Sequence, residues 1–460
     1  MPSPANTSGI HWAEEAAFRS LSVVMRPLQC LMTMPTALFF LALLAMLLRH
    51  PDVSFYEIDR IAFALLVFGV IAGELAARKK LWVVKSATWP MIGLSLLAIA
   101  SAISQPFDAR TWSLLAAKFI VPFALFHSAL IVFRNERRLE HFEFFCLVIL
   151  AYLCFTSIAF LAGAHFLIFP RFILDESLGY HVDRARGPLL QAVANGVSLN
   201  ILGLLALHAA LRRKIRGLKA ALLLTSLPVA ILATLTRAVW LSFSASVVVL
   251  IFRSDNRKFM RVCVVLVIVT AVGLLVVLSF DDQRRTFTDR FRESEPIAFR
   301  EAVYSGGWQM FLEKPLTGWG VNRMPTELAR HVSGYSEKEL YPHNTYLELL
   351  VEHGILGLGL YMWLMWELLK LGWGTVPRSE RNGLLSQRFH VMWPIILGIY
   401  YINACVVVMN YQFVNGLLFT MAGMLAAQQH RAQKEMQHYK ASPLYTVHAS
   451  LIYPLKNRPL

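Results

Sequence analysis

The 460-residue chain is poor in charge. Only 16% of its residues are Asp, Glu, Lys or Arg, against 56% hydrophobic ones, and mean hydropathy is +0.51. That excludes an ordinary soluble globular protein, in which about a quarter of residues are charged. Cysteine is scarce as well. Cys30, Cys146, Cys154, Cys263 and Cys405 are scattered, mostly inside apolar runs, with no CxxC or Cys/His ligand spacing. The pattern argues against a disulfide framework or structural zinc. The opening segment has no continuous apolar stretch followed by a small-residue cleavage site, so no signal peptide is read and the first spanning segment serves as the targeting signal. Rossmann glycines, solenoid repeats and low-complexity tracts are missing too.

What the chain does have is apolar runs of about 20 residues, enough to cross a hydrocarbon core of roughly 30 Å. Their spacing predicts an all-α polytopic membrane protein with about twelve spans. These fall at roughly 28–48, 58–77, 87–105, 111–133, 141–163, 189–211, 218–236, 237–252, 260–280, 345–370, 388–410 and 413–430. Four parts follow: membrane helices over 1–280, one large loop with short helices over 281–344, further membrane helices over 345–430, and a polar tail over 431–460.

Charge orients these spans. The net charge of +15 would point to nucleic acid in a soluble protein, but here it sits in "RKKLWVVK", "RNERR", "RRKIRGLK", "RSDNRK", the 370–388 loop and the tail. The alternate short loops hold only isolated arginines. The positive-inside rule therefore puts the N- and C-termini in the cytoplasm and the loop 281–344 outside, where long loops translocate largely regardless of charge. No nucleic-acid partner is expected. Within that loop, "FREAVYSGGWQMFLEKP" has the apolar spacing of a helix, one able to lie on the membrane.

Three polar clusters lie on the outer side. The first, "YHVDRARGPLLQAVAN", carries Arg184, Arg186 and Asn195. Its arginines either pair with Asp183 or Asp175 or bind an anion. The second, "LATLTRAVWLSF", sets Arg237 between two short apolar runs. An arginine there costs a few kcal/mol unless it snorkels, pairs or lines a wet cavity. It is either a snorkelling residue at a tight turn or part of an anion site, and its planar fork suits phosphate oxygens. The third is the long loop, with Arg290, Arg292 and Arg300 among others, ending at His343.

"YPHNTYLELLVEHGILGLGLYMW" opens the tenth span. "TYLE" fits a capping box with Thr345 as N-cap and Glu348 at N3. The helix N-terminus would then face outward, where its free N–H groups favour an anion. His343 stands just before it. Taken alone it is an interfacial histidine, but nearby arginines and the helix dipole would keep it neutral, as a general base needs. Glu352, two turns deeper, is costly in lipid and should face the protein interior, either orienting an arginine or acceptor or pairing with a neighbouring span.

"PHNTYLELLVEHGILGLGL" resembles the signature of the O-antigen ligase/polymerase (Wzy_C) superfamily of membrane glycosyltransferases. "REAVYSGGWQMFLEKPLTGWGVN" is similar to its Arg-x3-aromatic…Pro-Leu-x-Gly-x-Gly block, with Tyr304 where tryptophan is common. "TLTRAVWL" is similar to its Thr-x-Ser-Arg-Gly block, with Thr236 and Ala238 substituted. "RARGPLLQAVANGVSLN" matches its Arg-x-x-Gly…Asn block more loosely, the usual Asn-Pro-Asn being reduced to Asn195. The resemblance implies a GT-C-like fold in the bacterial inner membrane with the site facing the periplasm. It also implies an undecaprenyl-diphosphate-linked O-antigen as donor and a lipid A–core acceptor, with no cofactor and no metal. The outer carboxylates agree, with no Asp-x-Asp pair or metal-ligand spacing. The resemblance makes His343 the catalytic base and Arg237, Arg300, Arg186, Arg184 and Arg290 the diphosphate-binding set, with Asn344, Tyr346, Glu352 and Asn195 in support. O-antigen ligase leads the reading. O-antigen polymerase and protein O-oligosaccharyltransferase are alternatives within the superfamily. A lipid-linked oligosaccharide transporter is the alternative outside it, and would call for polar groups near the midplane rather than at one face.

Overall fold

The computed structural model describes residues 34–50, 58–78, 83–179, 181–253, 295–332, 338–374, 376–377 and 382–441, with 264–265, 267–269, 271–272 and 275. Among them the regular structure is helical throughout. The helices are α1 (Pro35–Leu47), α2 (Ile58–Ala76), α3 (Lys85–Ile103), α4 (Ala109–Val132), α5 (Glu136–Leu161), α6 (Ala192–Leu211), α7 (Gly217–Ala233), α8 (Arg237–Arg253), α9 (Glu295–Glu313), α10 (Met324–His331), α11 (Thr345–Lys370), α12 (Gln387–Ala404) and α13 (Gln412–Ala441). Outside the loop helices α9 and α10, each overlaps one expected span, but α1 starts at 35 rather than 28, α5 starts at 136 rather than 141, α12 ends at 404 rather than 410, and α13 runs on to 441, past the expected end at 430. The expected span at 260–280 lies largely outside the described residues.

Among the described residues, five helices are long and apolar enough to cross a membrane: α3, α4, α5, α6 and the stretch Thr345–Trp373 that contains α11. α1 and α7 are apolar but shorter. The chain is thus a helical membrane protein.

Polar side chains start several of these helices. Asp108 caps α4, accepting from the N–H groups of Arg110 and Thr111, and Asn135 caps α5 by accepting from Arg138 N–H at 2.9 Å. Each satisfies first-turn donors that have no partner inside the helix. The buried interior centres on α6, whose spanning window is wholly enclosed, by α5, α7, α8 and α12. α13 packs along α4, and α3 packs along α11. A second, smaller apolar cluster, with Val303, Met310, Met324, Leu328 and Val351, seats α9 and α10 against the start of α11.

One polar network aligns the helix ends. Asn200 Nδ2 donates to Ser242 Oγ at 3.2 Å, and Asn403 Nδ2 donates to the same oxygen at 3.0 Å. Past the end of α12, the Val407 carbonyl accepts from Thr345 Oγ1 at 2.8 Å. The start of α8, the end of α12 and the start of α11 therefore share one end of the bundle.

Candidate active site

The site is built around the first turn of α11. Asn344, not Thr345, is the N-cap: its Oδ1 accepts from the N–H groups of Tyr346 at 2.9 Å and Leu347 at 3.1 Å. The expected Thr345/Glu348 capping box is not formed. Thr345 is instead buried, bridging the Val407 carbonyl and the Met409 N–H at 3.0 Å, so it ties the helix start to the loop after α12. Glu348 turns inward to an ion pair described below.

His343 directly precedes the cap, half-buried, with φ +46°. That left-handed conformation is unusual outside glycine, Asn, Asp and His, and costs energy that the surrounding structure must hold. It turns the imidazole toward α9, where the Phe299 ring lies 6.3 Å away. Burial, and then the positive charge of Arg300, hold the His343 pKa below its ordinary 6.5. The ring is accordingly neutral at physiological pH, with a nitrogen free to accept a proton.

α11 is broken nine residues in. Gly354 has φ +64° and ψ −166°, outside helical geometry. The loop that follows α9 fills the break. Trp319 N–H donates to the Val351 carbonyl and Gly320 N–H to the Glu352 carbonyl, both at 2.9 Å. In return Ile355 N–H donates to the Pro315 carbonyl at 2.9 Å. A Cβ on Gly354 would strike the Leu316 carbonyl, and one on Gly318 (φ +72°) would strike the Glu352 backbone. "PLTGWG" and "HGILG" are therefore two halves of one joint: interrupted helix on one side, extended loop on the other. Backbone broken inside a membrane helix is tolerated where protein groups re-satisfy it.

Glu352 sits at this joint, 1% exposed. Its Oε1 accepts from the Asn322 backbone N–H at 2.7 Å, and its Oε2 pairs with Lys118 Nζ at 3.3 Å. The same ammonium pairs with Glu348 at 2.9 Å. Lys118 belongs to α4, in a π-helical turn spanning Ala116–Ile120. Such a turn widens the helix locally and is common at functional sites. The expectation that Glu352 faces an interior partner is met. Lys118 carried no expectation from sequence, although a lone lysine in an apolar run is itself a signal for a buried ion pair. Beside it, His353 is enclosed, and neither ring nitrogen has a hydrogen-bond partner among the described residues.

The arginines fall into distinct settings. Arg237 is exposed as the first residue of α8, just after Leu235 at φ +47° breaks the chain between α7 and α8. Its side chain forms no ion pair among the described residues. Arg300 is half-buried on α9, close to His343. Arg186 is 1% exposed, and its guanidinium is used by backbone: it donates to the carbonyls of Ile173 (3.0 Å), Leu178 and Asp175. It pairs with the Asp175 main chain rather than its carboxylate. Arg184 lies 3.8 Å from Asp183. Asn195 is fully buried, donating to the Ala185 carbonyl at 2.8 Å and to Ser157 Oγ at 3.1 Å. It holds the Arg184–Arg186 turn against α5. Tyr346 points into the bundle, its hydroxyl donating to the Tyr401 carbonyl at 3.4 Å. Arg290 lies outside the described residues.

His343, Arg300 and Asn344 are thus brought together, and the network through Ser242 and Asn403 sets Arg237 at the same end. Arg110 adds a brace that the sequence did not single out. It donates to Tyr341 Oη at 2.7 Å and pairs with Glu339 at 3.3 Å, fixing the approach to His343 onto α4.

Residues 220–362 match the family model described as O-antigen ligase. The match starts inside α7 and ends in α11, and so contains Arg237, Arg300, His343 and the joint at Gly354. Its members are membrane glycosyltransferase-like enzymes. No curated protein matches the chain.

Proposed function

We propose that this chain is an O-antigen ligase. It would transfer glycan from undecaprenyl diphosphate to a sugar hydroxyl of lipid A–core, at the periplasmic face of the inner membrane. The observation that carries the reading is His343: a neutral histidine held in left-handed backbone beside an arginine and a helix N-terminus, within the segment that matches the ligase family.

In the proposed reaction the free imidazole nitrogen takes the proton from the acceptor hydroxyl. The acceptor oxygen attacks the anomeric carbon as the bond from that carbon to the diphosphate oxygen breaks. The electron pair leaves with the lipid diphosphate, configuration inverts, and the proton passes from His343 to water. Arg237 and Arg300 stabilise charge developing on the leaving diphosphate, the role preorganised cations play best in a site shielded from water. Arg184 stands on the turn that Arg186 and Asn195 shape. Arg186 contributes by holding that turn, since each of its three guanidinium nitrogens donates to a backbone carbonyl. Arg290 joins the donor set on its sequence position alone. No nucleotide sugar and no metal enters the scheme.

The test is reconstitution of purified protein with lipid-linked O-antigen and lipid A–core. Glycan appearing on lipid A–core supports the ligase. A longer lipid-linked chain would make it a polymerase instead, and no covalent product would sink the enzyme reading. His343→Asn is the informative variant, because asparagine tolerates the left-handed conformation but cannot act as the base. It should abolish transfer in a protein that folds normally, and near-normal transfer would remove His343 from the mechanism.

A further inference from the structure

At the end of the bundle opposite His343, where α6 ends and α12 begins, lies a cavity of about 340 Å³. Arg212, Arg213 and Arg388 line it, together with Ser386, Gln387 and Asn382. Among the described residues, only one of the three guanidinium groups forms an ion pair. Arg212 pairs with Glu143 and donates to the Asn382 carbonyl at 2.9 Å. Its Nε, on a side chain only 5% exposed, has no hydrogen-bond partner among the described residues. Arg213 and Arg388 are exposed, and neither side chain forms an ion pair among the described residues. The next carboxylate along α5, Glu140, is taken by Lys214. Arg213 and Arg388 thus add positive charge to an opening whose third guanidinium, that of Arg212, is paired with Glu143.

The first turn of α12 adds to this. Ser386 stands at its N-cap but makes no capping bond, its hydroxyl being paired with His208 Nε2 at 2.9 Å. The first turn of α12 is thus without a side-chain cap where it borders the cavity, and a helix N-terminus favours an anion.

We propose that this cavity binds a phosphate group: that of an anionic phospholipid headgroup or free phosphate. Arginine forks match phosphate oxygens two at a time. A basic pocket between membrane helices, at the end carrying the chain's basic loops, meets a leaflet that presents such groups. This site is separate from the proposed transfer chemistry, and its test does not depend on that reading.

The experiment is native mass spectrometry of the full chain in detergent, titrated with phosphatidylglycerol and, separately, with inorganic phosphate. Wild type should retain the lipid. R213Q/R388Q should bind it roughly tenfold or more weakly, as expected for losing two cations near a charged headgroup. R330Q/K338Q, which removes two charges at the other end, should bind as wild type does. If phosphate displaces the lipid, the phosphate group itself is what is held. If it does not, the lipid's remaining contacts add to the same site. Equal lipid binding by wild type and R213Q/R388Q, or no binding of either probe by wild type, overturns the proposal. Should the double variant not purify, R213Q and R388Q singly read the same loss.

Discussion

His343 and Lys118 show how single side chains are set by groups far away in the chain. For His343 the lowered pKa has a kinetic consequence. A base works only when unprotonated, so activity should fall as pH drops through the histidine's pKa. Burial and Arg300 both disfavour the imidazolium, so the acid limb of the pH–rate profile should lie below 6.5. Arg300→Gln removes one of those two causes and should move that limb upward, toward the ordinary value, besides lowering the maximal rate. An unmoved limb in R300Q would mean that some other group sets it. For Lys118 the consequence is stability. It is 8% exposed and answers two carboxylates, of which Glu352 is 1% and Glu348 10% exposed. Removing one partner of a buried pair costs about 3–5 kcal/mol, because the other charge is left unpaired. Lys118→Met should therefore lower the thermal midpoint in detergent sharply, and K118M/E348Q/E352Q should recover most of the loss. If the triple variant melts as low as K118M, the buried charges are not the cause.

Among the elements, α11 is where sequence reasoning went furthest and then stopped. Its span at 345–370 was legible because an apolar run needs no partner to be recognised. The cap was missed by one residue: Thr345 and Glu348 satisfy the capping-box pattern, yet Thr345 is drawn to the loop after α12 and Glu348 to Lys118, both more than 60 positions distant. The break at Gly354 was not legible at all. Nothing in "VEHGILG" distinguishes a helical glycine from one at φ +64°, since the choice is made by the carbonyls of Pro315 and Leu316 and the N–H groups of Trp319 and Gly320. Gly354→Ala tests the joint. Its Cβ meets the Leu316 carbonyl in a backbone conformation alanine rarely adopts, a strain of about 1–3 kcal/mol. The 315–322 loop should be unseated, and with it α9, which carries Arg300. Transfer should be lost while the helical circular dichroism stays, and limited proteolysis should cut first near 315–322. Proteolysis unchanged from wild type would mean that the loop does not depend on the break.

For the molecule as a whole, two polar ends are separated by α6, whose 20 residues span about 30 Å. One end collects His343, Arg300 and Arg237, and the other collects Arg212, Arg213 and Arg388. The proposed reaction requires the first end to face the periplasm and the second the cytoplasm. The basic loops support that orientation through the positive-inside rule. Single cysteines in a background lacking the native five decide it. Lys338→Cys, exposed on the segment leading to His343, should react with a membrane-impermeant maleimide in cells whose outer membrane alone is opened. Arg213→Cys, exposed at the opposite end, should react only after the inner membrane is breached. The reverse pattern would put His343 on the cytoplasmic side, where a periplasmic lipid A–core acceptor cannot reach it. The ligase reading would then fail on geometry, whatever the chemistry of the histidine.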